Sequence, residues 1–217
     1  MTTTRRGPYK KGLRRREDIL DHALEVFIER GNANMSLRAV AQELGVTHAA
    51  VQHYFDSLEE LLLEVVERRD AHNRRLSEEM HAETLHEQLV LGARENTSTP
   101  GLTALFTSML AASVEPQNEL SRAYFTKRFE QGRADLQASI EAGREDGKVP
   151  DGPDARAISA LIMAAFDGLQ IQWLLDPTID MATTLALLDP LIGNAAATPA
   201  HSGDVATGET GNMSPSP

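Results

Sequence analysis

The chain has 217 residues, 24% of them charged, a formal net charge of −11 and no cysteine. That length suits one or two modest domains with room for a core, and the lack of cysteine excludes a disulfide framework and a thiolate metal site. No hydrophobic signal region stands at the N-terminus and no apolar run approaches the ~20 residues of a bilayer span, so the expectation is a soluble, cytoplasmic protein with no membrane partner.

The charge is unevenly placed. Residues 1–55 carry nine Lys/Arg against six Asp/Glu, and the remainder twelve against twenty-six. An acidic body with a basic head would turn that head toward a polyanion such as DNA and be repelled elsewhere. Residues 1–16 hold Arg5, Arg6, Lys10, Lys11, Arg14, Arg15 and Arg16 and no acid. Gly7-Pro8 and Gly12 predict that the first part stays out of helix. A disordered basic arm over 1–12 is expected, placed to lie along phosphates or enter a minor groove.

From about Arg14 to Gly31 the pattern is an amphipathic helix, with Leu20, Ala23, Leu24 and Phe27 on one face. Residues 36–55, SLRAVAQELGVTHAAVQHYF, then read as two short helices joined by a tight turn. Ser36 can cap the first, and Leu37, Val40, Ala41 and Leu44 recur at helical spacing. Gly45 stands where a left-handed residue is needed to turn. Thr47 can cap the second helix, whose inward face is Val51 and Phe55. A small residue (Ala41), a glycine four later and a branched apolar residue six after that make the helix-turn-helix spacing. The groups left outward, His48, Ala49, Gln52 and His53, are short or polar enough to meet base edges.

The run from Val46 to Leu61, VTHAAVQHYFDSLEEL, closely resembles the recognition helix and following helix of the tetracycline-repressor (TetR) family. Tyr54-Phe55 stands at that family's aromatic pair, and Asp56-Ser57-Leu58-Glu59-Glu60 at its acidic helix start, where Ser57 and Glu60 have capping-box spacing. Two positions depart from the pattern: Gln52 replaces a usual aromatic and Leu58 a usual phosphate-binding lysine. The resemblance implies an all-α fold. An N-terminal three-helix helix-turn-helix head over 13–66 is joined to a C-terminal helical bundle for effector binding and dimerisation over 67–193. Together with the basic arm and the outward groups of the second helix, it leads to expected DNA contacts from Arg5, Arg6, Lys10, Lys11, Ser36, Arg38, Thr47, His48, Ala49, Gln52, His53 and Tyr54.

A helix from Ser57 to about Met80 buries Leu61, Leu62, Val65 and Val66, then turns polar beyond Glu67, as a connecting helix leaving the head would. Residues 84–95 predict a weaker helix, 96–98 a break, and Thr99-Pro100 a new start followed by Leu102, Leu105, Phe106, Met109 and Leu110. A long helix over about 119–147 follows. The next, about 155–175, is apolar on nearly all faces (ISALIMAAFDGLQIQWLL). Such a helix asks for cover on more than one side, most simply from a second copy about a two-fold axis. Its predicted contact surface is Ile158, Ile162, Ala165, Leu169 and Gln172. A last short helix spans about 180–192, and the Ala/Thr/Gly/Ser/Pro-rich tail over 194–217 is expected to be disordered.

Chemistry is sparse. His72, His81 and His86 lack the three- or four-residue spacing of a helical metal pair, and no nucleophile elbow, phosphate-binding glycine loop or carboxylate pair is present. Asp167 in its apolar helix reads as a hydrogen-bonded structural group beside Gly168, or as a perturbed base. No catalytic residue, metal or cofactor is called for. The expected function is a homodimeric repressor of a palindromic double-stranded DNA operator, released by a small apolar effector. Residues expected to line the effector pocket are Phe106, Met109, Leu110, Tyr124, Phe125, Arg128, Phe129, Phe166, Gln170 and Trp173. A ligand-independent DNA binder, and an enzyme with an accessory DNA-binding head, are the rival readings.

Overall fold

A computed structural model describes residues 8–31 and 34–197. Among them the architecture is all-α, with α1 Pro8–Arg30, α2 Leu37–Glu43, α3 His48–Gln52, α4 Leu58–Glu79, α5 Leu85–Ser98, α6 Pro100–Ala112, α7 Glu119–Glu145, α8 Ala155–Leu175, α9 Met181–Leu185 and α10 Asp189–Ile192. The first helix begins at Pro8, not near Arg14. Proline is favoured at a first helical position, and Gly12 costs only ~1 kcal/mol inside a helix, so neither stops it. Residues 1–7, including Arg5 and Arg6, lie outside the described residues.

Helices α1 to α3 and the start of α4 form the head, in which Ile19, Leu20, Ala23, Val26, Val40, Ala41, Val51, Phe55 and Leu61 are buried together. Arg16 is tied into the head: its guanidinium lies 4.8 Å from the Phe55 ring centroid and pairs with Glu64. The head core does not close on itself. Leu105 and Phe106 of α6 and Phe125 of α7 belong to the same apolar cluster.

The body packs α8 along α7, with α5, α6 and α9 around them. Helix α4 runs from the head onto the body, touching α1, α5, α6 and α7; beyond Glu67 its one fully buried residue is Arg69, 5% exposed, while His72, Arg74 and Arg75 are exposed. The expected break at 96–98 is absent, because α5 runs to Ser98 with Asn96 buried, opened by a capping box between Thr84 and Glu87. The last helix is split instead. A 3-10 turn over 186–188 separates α9 from α10, since Pro190 has no N–H to continue the ladder. The tail is ordered as far as Ala197: the Leu85 N–H donates to the Ala195 carbonyl at 3.1 Å and the Ala197 N–H to that of Glu83 at 2.7 Å. Residues 198–217 lie outside the described residues.

Helix α8, 21 residues, is long and apolar enough to cross a bilayer by length and composition, contrary to the expectation that no run is. It packs as a bundle helix, with Ile158, Ser159, Ile162 and Gln170 buried.

Candidate nucleic-acid interface

The head is built by its caps. The Ser36 hydroxyl accepts from the Ala39 N–H at 3.1 Å, and that of Thr47 from the Ala50 N–H at 3.2 Å, each satisfying an otherwise orphaned donor. Gly45 holds φ +64° between them, and the Val46 N–H returns to the Ala41 carbonyl at 2.9 Å. Ala41 and Val51 are buried where α2 crosses α3. A larger residue at 41 would push the second helix off the first.

Helix α3 is shorter than expected. It stops at Gln52, because the Val51 carbonyl accepts from both Tyr54 and Phe55 N–H groups, at 2.9 and 3.1 Å, and winds the chain into a turn. His53 is therefore the C-cap and stands edge-on to Tyr54, ring centroids 5.1 Å apart. Thr47, Ala49, Gln52 and His53 are exposed, as are Ser36 and Arg38 at the start of α2; His48 and Tyr54 are half-buried, with Tyr54 packed against the core. One face thus carries an amide, two imidazoles and two hydroxyls with a cation beside them, a set able to meet base edges and phosphates. Lys10 and Lys11 fall on α1. Leu58 is half-buried against the core, so the place of a phosphate-binding lysine has been turned inward. The Ser57 hydroxyl accepts from the Glu60 N–H at 3.0 Å, while Glu60 caps the Asp56 N–H at 2.7 Å.

Eight of the ten residues expected around an effector meet in the body interior, while Phe166 and Trp173 lie in another cluster. The Phe106 ring meets Phe125 edge-on, centroids 5.4 Å apart, and has two guanidiniums near its centroid, Arg69 at 4.4 Å and Arg128 at 4.8 Å. Between them sits Asp70, a residue the sequence reading passed over. Its carboxylate accepts from Arg128 Nε and from the Tyr124 hydroxyl, both at 2.7 Å, and pairs with Arg69 at 3.4 Å. Arg69 also donates to Asn96 at 2.5 Å, and Gln170 bridges Asn96 at 2.8 Å to Thr107 at 2.7 Å. Burial pushes the Asp70 carboxyl up, but Arg128 and Arg69 hold it below the ordinary value. Asp167 shows the opposite balance: burial raises it, and Arg128 and Arg69 lower it only in part. Burial raises the Tyr124 phenol. Trp173 and Phe166 pack in a separate apolar group with Met181 and Leu185.

The predicted dimer surface is partly displaced. Ile158 and Ile162 are 3% and 1% exposed within the chain, and Ala165 and Leu169 are half-buried against α9. Ile158 and Ile162 therefore face the chain's own bundle, whereas Ala165 and Leu169 also line an open groove beside α9. Gln172 is exposed. Gly168 makes no close approach within the chain, since a Cβ there would meet open space. Among the histidines, His86 meets Asp189 at 2.7 Å and His72 meets Glu95 at 3.5 Å.

A capped helix-turn-helix head with an exposed polar reading face, carried on an all-α body, defines a DNA-binding transcriptional regulator. The family described as "Bacterial regulatory proteins, tetR family" matches residues 19–65, and "BetI-type transcriptional repressor, C-terminal" matches residues 81–196. The chain belongs to the TetR family, in its DNA-binding repressor type. It is 29% identical to the HTH-type transcriptional regulator BetI of Agrobacterium fabrum over 165 residues, 73% of this chain and 76% of that protein. Two solved structures share the fold. SmeT in complex with triclosan, SmeT being the repressor of the Stenotrophomonas maltophilia efflux pump SmeDEF, has a TM-score of 0.68 at 20% identity and covers 85% of this chain and 97% of that one. A transcriptional regulator from Saccharomonospora viridis in complex with choline has a TM-score of 0.66 at 23% identity and covers 81% and 95%.

Proposed function

We propose that the protein is a cytoplasmic homodimeric repressor that holds a palindromic operator with two heads and is released by a small molecule. The observation that carries the dimer is the uncovered side of α8. Ala157, Ala160, Leu161, Ala164, Ile171 and Leu175 fall on one helical face and are exposed, Leu161 to 49% and Leu175 to 83%. The opposite face is buried against the bundle. A shallow groove of about 280 Å³ adjoins it, lined by Ala164, Gly168, Gln172 and Leu187. Small residues along this face let a second α8 come close, and a two-fold axis through it would pair like with like. Two heads then read half-sites ~34 Å apart or a multiple of that, where one five-residue recognition helix reads too little for a useful specificity ratio.

Ala164→Glu tests this. A charge enclosed there without a partner costs several kcal/mol, so the variant should be monomeric by light scattering at micromolar concentration and bind DNA poorly, with its helix content unchanged. A monomeric unaltered protein, or a dimeric variant, refutes the interface.

Release by a small molecule draws support from the fold, which in the two solved neighbours accompanies triclosan and choline. The packed, ion-paired surroundings of Phe106 favour a second reading, a DNA binder without an effector. Loss of DNA affinity on adding a bound small molecule separates the two.

A further inference from the structure

A cavity of about 300 Å³ lies where head meets body, between α1, α4, α5 and α6. It shares no residue with the expected effector pocket around Phe106. We propose that it binds a small apolar carboxylate that also carries an N–H or O–H donor.

The volume is at the lower end of those that hold small organic ligands, and the apolar walls are Leu24 of α1, Val65 of α4 and Leu102 of α6. The charged walls decide the sign of the ligand. Arg68 is bound to Asp21 at 2.5 Å, Arg69 to Asp70 at 3.4 Å, and His72 faces Glu95 at 3.5 Å. Arg75, also in the wall, has no acidic partner among the described residues. Arg75 is thus the wall's cation without a carboxylate partner, and its planar guanidinium fork suits a carboxylate. A second polar group is also unmatched: the side-chain oxygen of Asn73 is buried with no hydrogen-bond donor. A buried acceptor left unpaired is costly, and a donor on the ligand would satisfy it. One molecule with an acid at one end, a donor in the middle and a hydrocarbon face answers all three walls.

The position gives such a ligand leverage. Leu24 belongs to the head and Leu102 to the body. One turn along α1, Ile28 rests on Gly101 so closely that a Cβ on the glycine would collide with it. An occupant between Leu24 and Leu102 therefore stands beside a contact that has no slack, and swings the head about it. That consequence rests on the reading of the protein as a released DNA binder; the binding itself does not.

The test is calorimetry on the full chain with three near-isosteric probes: indole-3-acetate, indole-3-acetamide and tryptamine. The first should bind once per protomer and at least tenfold more tightly than the other two. Arg75→Gln should abolish that preference without changing thermal stability, Asn73→Ala should weaken binding of the indole N–H, and Leu102→Trp should fill the cavity and remove binding. Arg75 is exposed, so its variant stays decisive if Leu102→Trp fails to fold. Tryptamine binding as tightly as the acid, an Arg75→Gln variant that keeps the preference, or no binding of any probe at millimolar concentration overturns the site. In a separate arm, anisotropy of a labelled duplex that the protein binds, measured with and without indole-3-acetate, should show at least tenfold loss of affinity. Unchanged DNA affinity with intact probe binding refutes the leverage and leaves the site standing.

Discussion

Replacing Asp70 by Asn removes one negative charge and almost no volume from the centre of the body. What it leaves is two guanidiniums, Arg69 and Arg128, both close to the Phe106 ring, with a neutral amide where their shared carboxylate stood. Arg69 is 5% exposed, so solvent offers little relief. Removing one partner of a buried ion pair costs ~3–5 kcal/mol, a large part of the ~5–15 kcal/mol that holds an ordinary domain. At ~2–4 °C per kcal/mol for a chain of this size, a loss of about 4 kcal/mol lowers Tm by roughly 8–16 °C. Circular dichroism melts at pH 7 measure it. The pH dependence follows from the sign of the shift. The Asp70 carboxyl, raised by burial but lowered further by Arg128 and Arg69, sits below its ordinary value in the folded chain. Its stabilisation is therefore complete above the unfolded pKa of ~3.9 and lost as pH falls through the lower folded value. The gap between parent and variant should shrink below about pH 4. A gap under about 2 °C at pH 7, or one that does not narrow on acidification, refutes the reasoning.

Asp167 should behave in the opposite sense. Burial raises its folded pKa, so its ionised form destabilises progressively as pH rises from ~3.9; Asp167→Asn should raise Tm at pH 7 and leave it unchanged near pH 3. Gln52→Ala should relax base preference by a contact worth ~1–3 kcal/mol, read from a library of duplex variants; an unchanged preference removes Gln52 from the reading face. Replacing Lys10 and Lys11 together by Gln should weaken all duplexes alike and reduce the slope of log affinity against log salt by about 2, and an unaltered slope shows that neither meets phosphate.

The head was legible in the sequence because its signals are local. A cap, a glycine at a left-handed turn and a small residue at a crossing each act within a few positions of themselves, and Ser36, Gly45 and Ala41 stand where those rules put them. The length of α3 was not legible, since it ends through backbone bonds to Val51 that no side chain signals. The body was read less well for a different reason. Arg69, Asp70 and Arg128 look like surface residues in any helical pattern, and only the meeting of α4, α6 and α7 buries Arg69 and brings Asp70 and Arg128 together beside it. For the same reason periodicity found that α8 has too much apolar surface for one neighbour, but not which side α7 takes; Ile158 and Ile162 went to α7's side and Leu161 and Ile171 did not. Ile28 over Gly101 leaves no trace in either local sequence.

The shared apolar cluster that runs from Ile19 to Phe125 bears on how such regulators are recombined. A chimera cut after Val66 would move the reading helices to a new body and leave Leu105, Phe106 and Phe125 behind, so the transplanted head would arrive with one wall missing. The heritable unit of DNA specificity in this protein is therefore wider than its DNA-contacting residues. An exchange that keeps a head folded has to carry α6 and the first half of α7 with it, or a recipient whose own α6 already offers the same apolar side.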